Sequence, residues 1–461
     1  MAHAGPPVRL QTFPRTPAER LSAALARFAS MSAAGGVVLV AVTVVAMVWA
    51  NSPWATTYEW LFHELYLVVR LGEFGWKASV VHWINDLLMA VFFFFVGLEI
   101  KREVLFGELR SMKRAALPLF GAAGGMAVPG AIYAIVNLGG DGLHGWGIPT
   151  ATDIAFALGI MALLGSRVPA GLKLFLTTLA VADDLGALLV IAVFYTESPS
   201  VANLFLAMGA LAVMFAMNRL GVRSALPYVL AGGVVWWFIH NSGVHATIAG
   251  VLTAMSIPSD ARTKVGAVAH FVRETAGELE RTSHAASPML SGNQQAQVDG
   301  IQDACTQAQS PLQRLEHKLV PWVGFFIVPL FALANAGVPL STGDTPLAAV
   351  VSSRECLGVA LGLIIGKPVG ILVASFAAVR LGAASLPSGV TMHHVHGAAW
   401  LGGIGFTMSL FIANLAFVRG GEVNTAQLNA AKVGILAGST VAAVVGLLVL
   451  RRATRPRPDG N

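Results

Sequence analysis

The sequence predicts an all-α polytopic membrane protein of twelve transmembrane helices, and three observations carry that prediction. Of 461 residues, 55% are hydrophobic and only 12% are charged, against roughly 25% charged in a soluble domain. The apolar residues fall in runs long enough to cross a bilayer, which takes about 20 residues of helix. The basic residues gather in alternate connecting segments, the asymmetry that orients polytopic proteins. The net charge of +6 does not indicate nucleic acid, because the basic residues sit at segment ends rather than on a polar face.

Taken in order, residues 1–30 form a cytoplasmic tail without a visible secretory signal. Arg20 to Phe28 within it reads as a short interfacial helix or a solvated stretch. Spans one to eight occupy 31–257, with apolar runs near 34–50, 80–100, 115–137, 148–165, 172–195, 200–218, 225–240 and 243–257. Between the first two, residues 65–76 (LYLVVRLGEFGW) place β-branched and aromatic residues around a Gly-containing turn, the pattern of an external hairpin. Residues 258–319 form an extended cytoplasmic loop. Its first part sets Val265, Val268, Val272 and Leu279 on one helical face, and its middle, 287–309, is rich in Ser, Gly, Gln and Asp and reads as flexible. Spans nine to twelve occupy 320–452, near 321–338, 356–378, 397–417 and 429–450, and 453–461 form a second cytoplasmic tail. With the N-terminus inside, the basic residues that fall outside are Arg70, Lys77, Arg354 and Arg419, while Lys367 and Lys432 lie within spans. Removing one span would scramble this asymmetry. Cys305 and Cys356 form no disulfide or metal-binding framework.

Charges in the hydrocarbon core are costly and by default suggest function. The spans hold Asp86, Asp153, Asp183, Asp184 and Lys367, with Glu99 at a span end. Any single one is as readily a satisfied interhelical pair. Two adjacent aspartates in mid-span are not, and residues 173–196 (KLFLTTLAVADDLGALLVIAVFYT) place Asp183 and Asp184 near the bilayer midplane. Neighbours on a helix point about 100° apart, so one carboxylate can face a cavity while the other meets a neighbouring helix. Both cannot stay ionised cheaply in a low dielectric, and they should titrate as a coupled pair. Such a site holds either protons or a hard cation, which favours oxygen ligands.

Two spans read as broken. In 147–165 (GIPTATDIAFALGIMALLG) clean apolar helix begins only after Asp153 and covers about 18 Å at 1.5 Å per residue, well short of a core about 30 Å thick. Thr152 and Asp153 then sit at the N-terminal end of a half-helix, where Asp153 offsets the positive end or acts as a plain N-cap. In 401–408 (LGGIGFTM), Gly403 and Gly405 supply irregular backbone ahead of a short apolar run. Interrupted segments in the two halves of a chain point to a transporter's binding site. In span ten, 366–370 (GKPVG), Lys367 needs an acidic partner, for which Asp183, Asp184 and Asp153 are the candidates. Glu99 and Glu103 in 97–103 (GLEIKRE) lie four apart on one face, the pattern of a charged helix end.

These stretches resemble the NhaA family of bacterial sodium/proton antiporters. The matching segments are 83–103 (WINDLLMAVFFFFVGLEIKRE), 151–169, 182–187 (ADDLGA), 242–247 (SGVHAT), 315–322 (LEHKLVPW), 366–370 and 401–417, in family order and across nearly all spans. The resemblance implies inverted repeats of spans three to five and ten to twelve, and two broken helices crossing near the midplane. It implies that Asp184 is the principal sodium and proton carrier and that Asp183 pairs with Lys367 when no sodium is bound. Asp153 then balances helix-end charge and Thr152 assists binding. It further implies electrogenic exchange that exports sodium or lithium for more than one proton, without a cofactor, in the bacterial inner membrane. Both termini are then cytoplasmic, with homodimerisation through the hairpin. A cytoplasmic pH-sensing cluster is implied at Glu99, Arg102, Glu103, Glu316 and His317, with His245 nearby. Val320 stands where a second histidine often follows, and the polar loop is longer than usual.

Two other classes are disfavoured. An intramembrane aspartyl protease needs its aspartates on separate helices, and its Gly-x-Gly-Asp signature is missing. A proton-coupled solute transporter would want more basic or aromatic recognition groups in its core spans than Lys367 alone.

Overall fold

In lipid every backbone N–H and C=O must be paired inside its own segment, so apolar runs become helices. The computed structural model describes residues 34–71, 74–196, 199–282, 289–339, 347–419 and 422–455. The short helix expected near Arg20 lies outside them, as does the chain beyond 455. Among the described residues, seven helices are long and apolar enough to span a membrane, or nine if each of two bent pairs is one span. The protein is therefore an all-α polytopic membrane protein.

We label the helices α1 (Ala34–Ala50), α2 (Val80–Leu105), α3 (Met112–Val136), α4 (Ile154–Ala162), α5 (Ala170–Phe194), α6 (Val201–Arg219), α7 (Ala225–His240), α8 (Thr247–Ser256), α9 (Val265–Thr282), α10 (Gly292–Gln307), α11 (Pro311–Asn335), α12 (Arg354–Arg380), α13 (Met392–Gly402), α14 (Phe406–Phe417) and α15 (Thr425–Ala453). Most follow the apolar runs to within a few residues. Span eight is shorter than its apolar run, because Gly243 takes φ +81° and the chain turns before α8 starts.

The polar loop carries more regular structure than its composition suggests. Residues 287 and 288 lie outside the described residues, but α10 forms within the rest of the stretch, started by a capping box in which Ser291 and Gln294 satisfy each other's backbone N–H groups. It packs on α9 as a helical hairpin, with Val268 buried but Val265 exposed. Helix α11 begins within the last part of this segment, at Pro311, behind a second capping box at Ser310. The sequence at 65–76 does form a hairpin. Strands β1 (Tyr66–Leu71) and β2 (Phe74–Ser79) pair antiparallel, Val68 opposite Lys77.

Both broken spans are broken. Residues 141–150 wind as tight 3₁₀ turns, Ala151 to Asp153 are extended, and only then does α4 start. Between α13 and α14 the axis bends by 43°. Burial orders the bundle around these breaks: the most apolar stretch of α5 is 67% buried inside the protein, and that of α6 only 11%. α5 is thus the central helix and α6 lies at the periphery of the bundle.

A buried aspartate pair where two broken helices cross

Asp183 and Asp184 sit in the middle of the 25-residue α5, at 0% and 1% exposure. Asp183 turns toward α12, where Lys367 Nζ donates to its Oδ2 at 2.7 Å, both side chains being fully buried. Lys367 also donates to the carbonyl of Thr150 in the first broken span. Its placement follows from local sequence. A π-type turn, Gly362–Gly366, immediately precedes it, and such turns concentrate where a helix is locally re-aimed. One turn further on, α12 and α3 touch backbone to backbone: a Cβ on Gly370 would strike the Gly124 carbonyl, and one on Gly124 would strike that of Gly370. Glycine at both positions lets the helices approach closely enough to enclose the lysine.

Asp184 points elsewhere and forms no ion pair among the described residues. Its Oδ1, like that of Asp183, is buried and has no hydrogen-bond partner among them. The charged groups that face it are Asp183, Glu99, Asp153 and Lys367. Burying an unpaired carboxylate is expensive, so this side chain needs a proton or a cation.

The crossing lies beside them. Asp153 N–H donates to the Ile404 carbonyl at 2.7 Å, and Thr152 Oγ1 donates to that of Gly402 at 2.8 Å. The Asp153 carboxylate then serves two helices at once. Oδ1 accepts the Phe156 N–H at 2.9 Å in the first turn of α4. Oδ2 accepts the Thr407 N–H at 3.2 Å, together with the Thr407 hydroxyl, in the first turn of α14. One negative charge therefore meets two positive helix ends. Ser409 Oγ donates to the Ile148 carbonyl at 2.7 Å, and Ser439 Oγ accepts the Phe406 N–H at 3.1 Å, satisfying backbone groups the breaks expose. Close passage demands the glycines. A Cβ on Gly405 would strike Ser409 Oγ, and one on Gly403 would lie 2.6 Å from the Leu363 carbonyl.

The chain matches the family model described as Na+/H+ antiporter 1 over residues 26–450. It is 45% identical to the "Na(+)/H(+) antiporter NhaA" of Oleidesulfovibrio alaskensis over 96% of each chain. It is 46% identical to the protein of that name from Koribacter versatilis, over 95% of this chain and 93% of that one. With the Helicobacter pylori protein it shares 45% over 93% and 95%. The chain belongs to the NhaA family.

Within this NhaA fold the residues expected to sense pH do not all meet. Arg102 pairs with Glu316 and, at 3.3 Å, with Glu103, and both acids are buried. Glu99 is half-buried, one turn from Glu103 on α2, close enough to feel the charges of Arg102, Glu103 and Glu316 and to act on Asp184. His317 is exposed beside Glu316. His245 is not near this cluster. It precedes α8 and its Nε2 meets the Tyr195 carbonyl at 2.6 Å, whereas Lys101 donates to the Met255 and Ile257 carbonyls at the far end of α8. The length of that helix, about 15 Å for ten residues, separates them. The family resemblance implied a place near the cluster for His245; in the structure α8 runs between them.

Sequence reasoning missed Thr407, Ser409 and Ser439, and a buried amide chain in which Asn335 bonds Asn85 at 2.9 Å and Asn414 donates to Asn335 at 3.0 Å. Thr407 was the findable one: it lies in the first turn after a Gly-x-Gly break, where the free N–H groups of a new helix need an acceptor.

Proposed function

We propose that this protein is an electrogenic sodium (or lithium)/proton antiporter, a secondary active transporter rather than an enzyme. The observation that carries the reading is the contrast between two adjacent carboxylates, each with a buried Oδ1 that accepts nothing: Asp183 is neutralised by Lys367, while Asp184 has no ion pair among the described residues. In this reading a proton neutralises Asp184 in one phase of the cycle. A sodium ion, the cargo, replaces it in the other, drawing Asp183 away from Lys367 as a second oxygen ligand. The freed lysine sheds a proton, so more than one proton is exchanged for each sodium exported. Thr152 assists the ion, and Asp153 holds the crossing that alternates access.

The supporting architecture is twelve crossings, counting the broken span that contains α4, the bent α13–α14 pair and the shorter α7 and α8. Both termini are cytoplasmic and the bilayer is the bacterial inner membrane. A homodimer through the hairpin is supported by Leu67, Val68 and Val69, which are 46%, 51% and 58% exposed. Glu99, Arg102, Glu103, Glu316 and His317 form the pH-responsive group, with Glu99 as the member that reaches toward Asp184.

The test is sodium-evoked dequenching of a pH-gradient dye in proteoliposomes, repeated across pH. Sodium and proton compete for one negative charge, so apparent sodium affinity weakens by up to about tenfold for each unit of acidification per competing proton. Sodium binding indifferent to pH would sink the proposal, and proton flux evoked by an organic solute but not by sodium would favour solute transport instead.

A further inference from the structure

Where the turn after α4, the start of α13 and the end of α15 come together, they surround a cavity of about 860 Å³. Arg167 lines it from the turn, His393 and His396 from α13, and Arg452 and Arg455 from the end of α15. No acidic side chain is among its lining residues. None of the three guanidinium groups forms an ion pair or side-chain hydrogen bond with another described residue.

The cavity wall is braced. His394 Nδ1 accepts the Thr391 N–H at 3.1 Å, so its Nε2 carries the proton and donates to the Ala453 carbonyl at 3.2 Å, joining α13 to α15. His396 Nε2 accepts the Trp400 indole N–H at 3.1 Å, which leaves Nδ1 as its donor. Of these two rings, His394 spends its proton on the brace, and His396 keeps an Nδ1–H to donate.

Three like charges around one hollow repel one another, and a bound anion removes that cost. The forked donors of arginine match phosphate oxygens two at a time. The N-terminal end of the eleven-residue α13 adds a favourable dipole. The carbonyl end of α15 opposes it, and Arg451 and Arg452 in its last turn offset that end. Arg455 lies just beyond that end and Arg167 closes the turn after α4, and neither guanidinium is taken up by an ion pair among the described residues.

The geometry points to this cavity as a binding site for a phosphate-bearing anion, from an anionic lipid headgroup or a soluble polyphosphate. Its occupant clamps α4 and α13, one half from each broken span, to α15. This goes beyond the antiport reading and does not depend on it, because the test reads binding and melting rather than flux.

The test uses the purified full-length protein in detergent. Inorganic pyrophosphate is titrated calorimetrically, and retention of phosphatidylglycerol against phosphatidylcholine is followed by native mass spectrometry. Both are repeated on Arg167→Gln/Arg455→Gln. Losing a charge-assisted phosphate contact should weaken binding about tenfold per guanidinium removed, and bound probe should raise the melting temperature of the unmodified protein. Pyrophosphate binding lost in the variant assigns a soluble source. Selective phosphatidylglycerol retention lost in the variant, without pyrophosphate binding, assigns a lipid. If neither probe binds, or the variant binds as well as the unmodified protein, the site does not exist. Should the double variant aggregate, Arg455→Gln alone, beyond the last helical turn, carries the same comparison.

Discussion

Asp153 and Asp184 lie in the same buried centre, yet the fold treats them in opposite ways. The carboxylate of Asp153 accepts three hydrogen bonds from the first turns of two different helices. That of Asp184 lies mid-helix, where the backbone N–H groups around it are already used by the helix itself, and its Oδ1 accepts nothing. A carboxylate at a helix end is held by the backbone and is structural. One in a helix interior must be served from outside its own helix, as Lys367 on α12 serves Asp183, and Asp184 has no such partner among the described residues.

The largest expected effect tests that contrast directly. Asp184→Asn abolishes sodium-evoked proton flux, because an amide neither binds nor releases a proton, while melting in detergent stays level or rises. Residual flux in the variant would refute the assignment. Next is Lys367→Ala, which leaves the Asp183 carboxylate buried and unpaired and lowers stability by about 3–5 kcal/mol. Replacing both partners, Lys367→Met with Asp183→Leu, recovers most of that loss, since an apolar pair of similar volume is often neutral. A double variant no more stable than the single one would show that the pair is not what Lys367 supports.

Asp153→Ala follows, at about 2–3 kcal/mol, the sum of two lost helix caps at roughly 1 kcal/mol or more each. It should be larger than the loss in Asp184→Ala by thermal melting; the reverse order would break the comparison. The smallest effects concern pH. Glu316→Gln removes the partner of Arg102 and moves the pH profile of transport, while His245→Ala, at the other end of α8, leaves it unchanged within error. A matching shift in both would restore His245 to the cluster.

The helices were legible because lipid permits one solution for an apolar run, and α7 falls on the very residues the hydropathy marks. The breaks were legible as well: Pro149 and Asp153, Gly403 and Gly405 are residues that interrupt or start helices wherever they occur. The loop between α8 and α11 was not, because its composition is polar enough for disorder and its capping boxes at Ser291 and Ser310 are short signals within it. The partner of Lys367 was open among three aspartates, since pairing across 184 positions in the chain leaves no local trace.

By itself, the sequence determined that this chain enters a membrane as helices, that two of them are interrupted, and that two adjacent carboxylates are carried to mid-span. These follow from hydropathy and backbone preference, which act within a segment. Only the tertiary structure decided which aspartate is paired with Lys367 and which has no ion pair among the described residues, that Asp153 serves two helices, and that His245 stands apart from Glu316. Those outcomes depend on how helices distant in sequence turn their faces to each other. That is set by close packing at positions such as Gly124 and Gly370, where backbone meets backbone.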